Sequence, residues 1–212
     1  MDISAIAALA PVVPVLTIER TADAVPLARA LVKGGLPVLE ITLRTEAALA
    51  ALAAIAAEVP DAVVGAGTVL QPRQFDDVTR AGARFAVSPG CTPTLVTAAR
   101  AAGLPFLPGI QTVSEAMVLA EQGFGLMKFF PADVAGGLAW LKAVAAPLAG
   151  LRFCPTGESA PILRRLTSRS PTSPASAARG WRRAMPWLPA TGRGSSGSPP
   201  QPQSSNGSSV AT

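Results

Sequence analysis

The sequence predicts a parallel (β/α)8 TIM barrel of α/β class that lacks its eighth strand and final helix and carries a disordered C-terminal tail. Three observations predict it. Short β-branched or apolar runs alternate with Ala- and Leu-rich stretches of helical spacing, which implies right-handed crossovers and a parallel sheet. The repeat is about 20–25 residues, the length of one strand–helix unit. Both textures stop after Gly157, before an eighth repeat.

The elements follow in order. Ile3–Ala10 reads as a short leading helix. Strands are predicted at Val12–Thr17, Pro37–Thr42, Ala62–Thr68, Arg84–Ser88, Pro105–Pro108, Met127–Phe130 and Arg152–Thr156. Helices are predicted at Ala24–Val32, Glu46–Glu58, Phe75–Ala81, Thr94–Ala102, Val113–Gln122 and Leu138–Leu148. Gly34, Gly82, Gly103 and Gly123 follow helices, while Thr21, Thr45 and Thr112 stand where N-caps belong. Nothing marks the change of strand direction that a doubly wound sheet needs.

Composition narrows the chemistry. The 212 residues include no histidine, which removes Ser-His-Asp and Cys-His catalysis and His-ligated metals. Metal and cofactor are therefore expected to be absent. Cys91 and Cys154 are too few for a disulfide framework and suit a reducing cytoplasm. No apolar run reaches the roughly 18–20 residues of a membrane span, and Asp2 stands where a secretory leader carries basic residues. Neither a membrane nor a nucleic acid is an expected partner. The net charge of +5 comes from one end: residues 1–157 hold 11 basic and 12 acidic side chains, whereas 158–212 hold seven arginines and one acid. That second segment, with 12 Ser and 8 Pro in 55 residues, has the composition of a disordered tail.

Polar or conformationally special residues gather at the C-terminal strand ends, which meet at one mouth of a barrel. They are Glu40, Thr42 and Arg44; Gly65, Gly67 and Thr68; Ser88-Pro89-Gly90; Pro108-Gly109; Lys128; and Thr156-Gly157. Lys128 stands in the apolar run Leu126-Met127-Lys128-Phe129-Phe130. A buried, unpaired ammonium is costly, so such a lysine either pairs with a carboxylate or gives up its proton and becomes a nucleophile toward carbonyls. The protonated Schiff base then draws electrons from an adjacent C–C bond without metal or histidine. Glu40, inside Val38-Leu39-Glu40-Ile41-Thr42, is either a structural partner of Arg44 or Lys128 or a proton carrier. Arg44 offers a planar fork to a carboxylate or phosphate. Pro155-Thr156-Gly157 suits the start of a barrel phosphate site, which uses the loops after strands seven and eight.

On these residues the chain resembles the 2-keto-3-deoxy-6-phosphogluconate (KDPG) and 4-hydroxy-2-oxoglutarate aldolases, a class I aldolase family. The matching segments are PVVPVL (Pro11–Leu16), VLEITLRTEAAL (Val38–Leu49), VGAGTVL (Val64–Leu70), AVSPGCT (Ala86–Thr92), LPGIQTVSE (Leu107–Glu115), MKFFPA (Met127–Ala132) and RFCPTG (Arg152–Gly157). The resemblance implies that Lys128 forms a Schiff base with a pyruvyl carbonyl and that Glu40 shuttles protons. It implies that Arg44 and Thr68 bind the carboxylate and that Pro89 shapes the pocket. Thr156 and Gly157 would meet the rest of a small keto acid. A lyase of carbohydrate metabolism, homotrimeric and cytoplasmic, is the corresponding expectation.

The departure from the family is as informative. The family continues PTG with a second Gly and later supplies a strand resembling VGGSW; here Gly157 is followed by Glu158-Ser159. Reading the third base of each codon with the first two of the next makes Ala175–Leu188 compatible with VGGSWMAPRDAVA, and Gly157–Ser159 compatible with GI. A frameshift near residue 157 therefore accounts for the tail. Its consequence would be a 1–157 barrel with open edges, poorly folded and weakly active. Two other readings stay open: an inactive fragment, or a non-catalytic protein with a basic tail. A phosphate-binding isomerase barrel fits LEITLRT with KFFPA less well.

Overall fold

The apolar alternation folds as two parallel arcs, and the computed structural model describes residues 1–157. The first arc has the order β1 (Val15–Leu16), β2 (Val38–Thr42), β3 (Val63–Gly67), β4 (Ala86–Val87) and β5 (Phe106–Leu107). The second joins β6 (Gly109–Ile110), β7 (Leu126–Phe129) and β8 (Arg152–Pro155). All pairings are parallel. The fifth predicted strand, Pro105–Pro108, contracts to β5 because Pro108 has no N–H to continue a ladder, and the unpredicted β6 begins directly after it. Its carbonyl still accepts from Lys128 N at 2.8 Å and holds β7 in place.

Strand periodicity assigns the two faces. Leu39 and Ile41 of β2 turn outward onto helices α2 (Ala24–Lys33) and α3 (Ala48–Glu58), against Ala51, Leu52 and Ile55. Helices α4 (Arg73–Arg80) and α5 (Pro93–Ala102) continue that layer with Phe75, Val78, Leu95 and Ala99. Met127 and Phe129 of β7 turn outward onto α6 (Val113–Glu121) and α7 (Gly137–Val144), where Trp140 stacks on Phe129 at 4.2 Å. A third cluster lines the axis: Val38 and Leu126, the first residues of β2 and β7, with Phe85, Val87 and Leu107. Ile6 of helix α1 (Ile3–Ala8), with Ala10, closes it from the strands' N-terminal end.

Several predicted boundaries shift. The outer strands are shorter than their apolar runs, and α7 ends at Val144 rather than Leu148. Thr21 and Thr45 do not cap helices; Thr45 instead donates to the Ile18 carbonyl at 2.6 Å. Thr112 does cap, in a reciprocal box with Glu115, and Thr92 caps α5. Among the described residues no strand pairs with the outer edges of β1 and β8. Arg152 of β8 reaches across to Ser4 of α1 at 2.6 Å. The segment 158–212, expected to be a disordered, out-of-frame tail, lies outside the described residues.

Candidate active site

The same alternation that sends Met127 and Phe129 outward turns Lys128 to the axis, and on β2 it turns Glu40 inward between Leu39 and Ile41. The two meet there: Lys128 Nζ donates to Glu40 Oε1 at 3.2 Å, with the residues only 5% and 4% exposed. A buried ion pair is retained only where each charge has its counterpart, so Lys128, rather than Arg44, is the partner of Glu40. The Phe130 ring, just past the end of β7, lies 5.4 Å from Nζ.

Two glycines make room for this pair. A Cβ at Gly67 would collide with the Glu40 carboxylate, and one at Gly65 would enter the Phe85 ring, 2.5 Å from its edge. The absence of side chains at these positions of β3 thus sets where Glu40 and Phe85 lie.

The mouth is built at the next turn of chain. Arg44 is exposed, and its Nε donates to Thr68 Oγ1 at 3.3 Å. Thr68 has φ +59°, a left-handed conformation that a β-branched residue rarely adopts. Pro89 follows β4, half-buried, and its carbonyl abuts Gly109, where a side chain would collide. Thr156 N donates to Phe129 O at 2.9 Å, and its carbonyl accepts from Ala132 N at 2.8 Å, which ties the end of β8 to the loop after β7. Gly157 sits beside Asp133, whose carboxylate occupies the space a side chain at 157 would need. Since all pairings are parallel, these residues lie at the C-terminal ends of the strands in both arcs.

Three further contributors were not singled out from sequence. Cys154 is the register partner of Lys128 on β8. Burial pushes its thiol up, as does the Glu40 charge, against opposing effects of Lys128 and the Thr156 hydrogen bond. Phe130 was recognisable from its spacing of two from Lys128. Thr17 pairs with Thr42 at 3.0 Å between hydroxyl oxygens, a contact that only strand register reveals. Among the described residues no group of three His, Cys, Asp or Glu could hold a metal ion, and no helix is long and apolar enough to cross a membrane.

The arrangement can form an imine with a carbonyl compound and move a proton beside it. Known proteins resemble the chain in sequence and fold. The family profile for KDPG and KHG aldolase matches residues 3–165. The KHG/KDPG aldolase of Escherichia coli K12 is 54% identical over 151 residues, 71% of each chain. The Zymomonas mobilis ZM4 2-keto-3-deoxy-6-phosphogluconate aldolase, solved with 3-phosphoglycerate, superposes with a TM-score of 0.73 at 42% identity, covering 86% of this chain and 94% of that one. The KDPG aldolase of Legionella pneumophila, solved with pyruvate captured as a covalent carbinolamine, gives 0.73 at 41% identity over 84% and 91%. The (β/α) barrel, the buried lysine–glutamate pair and these likenesses agree: the chain belongs to the KDPG and KHG aldolase family.

Proposed function

We propose that this chain is a Schiff-base aldolase. It cleaves 2-dehydro-3-deoxy-6-phosphogluconate to pyruvate and glyceraldehyde 3-phosphate, and 4-hydroxy-2-oxoglutarate to pyruvate and glyoxylate. The observation that carries the reading is the Lys128–Glu40 contact of 3.2 Å, buried at the barrel axis.

A proton passing from Nζ to Glu40 leaves a neutral amine, which attacks the C2 carbonyl of the keto acid. The carbinolamine oxygen takes that proton and departs as water, giving a protonated imine and restoring the Glu40 carboxylate. Glu40 then accepts the C4 hydroxyl proton while the C3–C4 electrons move into the imine, releasing the aldehyde and leaving an enamine. Protonation of C3 by Glu40 and hydrolysis of the imine free pyruvate and Lys128. Arg44 and Thr68 hold the substrate carboxylate, the guanidinium by paired N–H donation. Pro89 walls the reacting carbons, and Thr156 and Gly157 meet the portion beyond the cleaved bond.

The free thiols of Cys91 and Cys154 support a reducing, cytoplasmic setting. The family likeness supports assembly with further copies, as a homotrimer. The test of function is pyruvate release from each substrate. Lys128→Arg is expected to reduce release to background, and Glu40→Gln to lower kcat by about 10²–10⁴-fold. Ordinary turnover by the Lys128 variant would overturn the reading.

A further inference from the structure

Thr42 is fully buried, faces the axis two residues beyond Glu40, and has no part in the chemistry above. Its hydroxyl donates to the Leu16 carbonyl at 3.0 Å. A hydroxyl carries one proton, so at the 3.0 Å contact between Thr42 Oγ1 and Thr17 Oγ1 the donor is Thr17. The chain therefore runs from Thr17 through Thr42 to Leu16, and it leaves the Thr17 oxygen with free lone pairs. Thr17 is exposed. The pairing of Val15 with Glu40 and Leu16 with Ile41, extended by one residue, sets Thr17 beside Thr42 on the axis-facing side.

This gives the mouth two chemical sides. The Arg44–Thr68 side is rich in donors and suits a carboxylate. The Thr17 side presents an acceptor, which disfavours an anion and suits a neutral hydroxyl. Two residues of strand advance about 6.6 Å beyond the Lys128–Glu40 layer. Three carbon–carbon bonds from C2, extended by one hydrogen bond, span a similar length.

We propose that Thr17 is a specificity-determining residue whose hydroxyl oxygen accepts a hydrogen bond from the C5 hydroxyl of a six-carbon 2-keto-3-deoxy acid. This rests on the aldolase reading. Thr42 is the positioning residue that orients Thr17. A five-carbon substrate with a carboxylate at C5 has no such hydroxyl to offer.

The test uses the full 212-residue chain and the keto-acid concentration that half-labels Lys128 with borohydride after brief exposure, read by mass. The probes are pyruvate, 4-hydroxy-2-oxoglutarate and 2-keto-3-deoxy-6-phosphogluconate. Thr17→Val is expected to raise the half-labelling concentration of the six-carbon acid roughly three- to tenfold, the worth of one neutral hydrogen bond. It should leave the other two unchanged, and Thr17→Ser should restore the parent value. An equal rise for all three probes, no rise for any, or loss in the Ser variant would overturn the role of Thr17. Failure of pyruvate to label the parent chain would overturn the aldolase reading itself, and this proposal with it.

Discussion

Lys128 and Glu40 are each other's only charged partner among the described ion pairs, at 3.2 Å and out of water. Removing one leaves the other buried and uncompensated, which typically costs about 3–5 kcal/mol. Glu40→Ala is therefore expected to lower the urea midpoint more than the double change Glu40→Ala with Lys128→Met. Equal midpoints for the two would contradict this. The thiols give a second check at this scale. Burial pushes Cys91 up to about 11 and also raises Cys154. Their iodoacetamide alkylation should keep accelerating beyond pH 9, since only the thiolate reacts. A plateau near pH 9 would show an ordinary thiol. Lys128 and Glu40 stood out in the sequence because a charge inside an apolar strand has few explanations. Thr17 did not, because its partner is 25 residues away and only register brings the two together.

At the scale of elements, the glycines of β3 and the cap of α6 do different work. Gly67→Ala would drive a methyl into the Glu40 carboxylate, whereas Gly103→Ala meets nothing within 4 Å and strains only a left-handed turn at φ +62°. Activity should fall with the first substitution and not with the second, as measured by pyruvate release. Glu115 lies at the other extreme, on the surface. Partial burial raises its carboxyl, but hydrogen bonds from Gln111 N, Thr112 N and the Thr112 hydroxyl outweigh that and hold it below the usual range. A carboxyl lowered on folding stabilises the fold above its unfolded value, and that contribution disappears as pH falls through the folded one. Glu115→Gln should thus lower the unfolding free energy at pH 7 by the worth of a cap, about 1 kcal/mol, and the deficit should shrink toward pH 3. A deficit independent of pH would contradict the capping account. The sequence placed seven of the eight strands but missed β6 beyond the break at Pro108, and it expected caps at Thr21 and Thr45 that the structure does not form. Proline and threonine each serve several local geometries, and tertiary partners such as Ile18 O decide among them.

For the whole molecule, the outer edges of β1 and β8 have no strand partner among the described residues, and Arg152 of β8 instead donates to Ser4 of α1. Open edges expose N–H and C=O groups, and a βα unit's burial is worth several kcal/mol at about 25 cal/mol per Å². The frameshift proposed for residues 158–212 therefore predicts two results. DNA sequencing at the Gly157 codon should locate a missing or extra base. A frame-restored chain should melt well above the 212-residue chain and aggregate less; equal Tm values would contradict the shift as the cause. The account as a whole hangs on the amine at position 128. Pyruvate and borohydride added to the purified chain should leave one reduced pyruvyl adduct, mapped by peptide mass to Lys128 and absent from Lys128→Arg. An unlabelled Lys128, or an adduct on Lys33 or Lys142 instead, would contradict it.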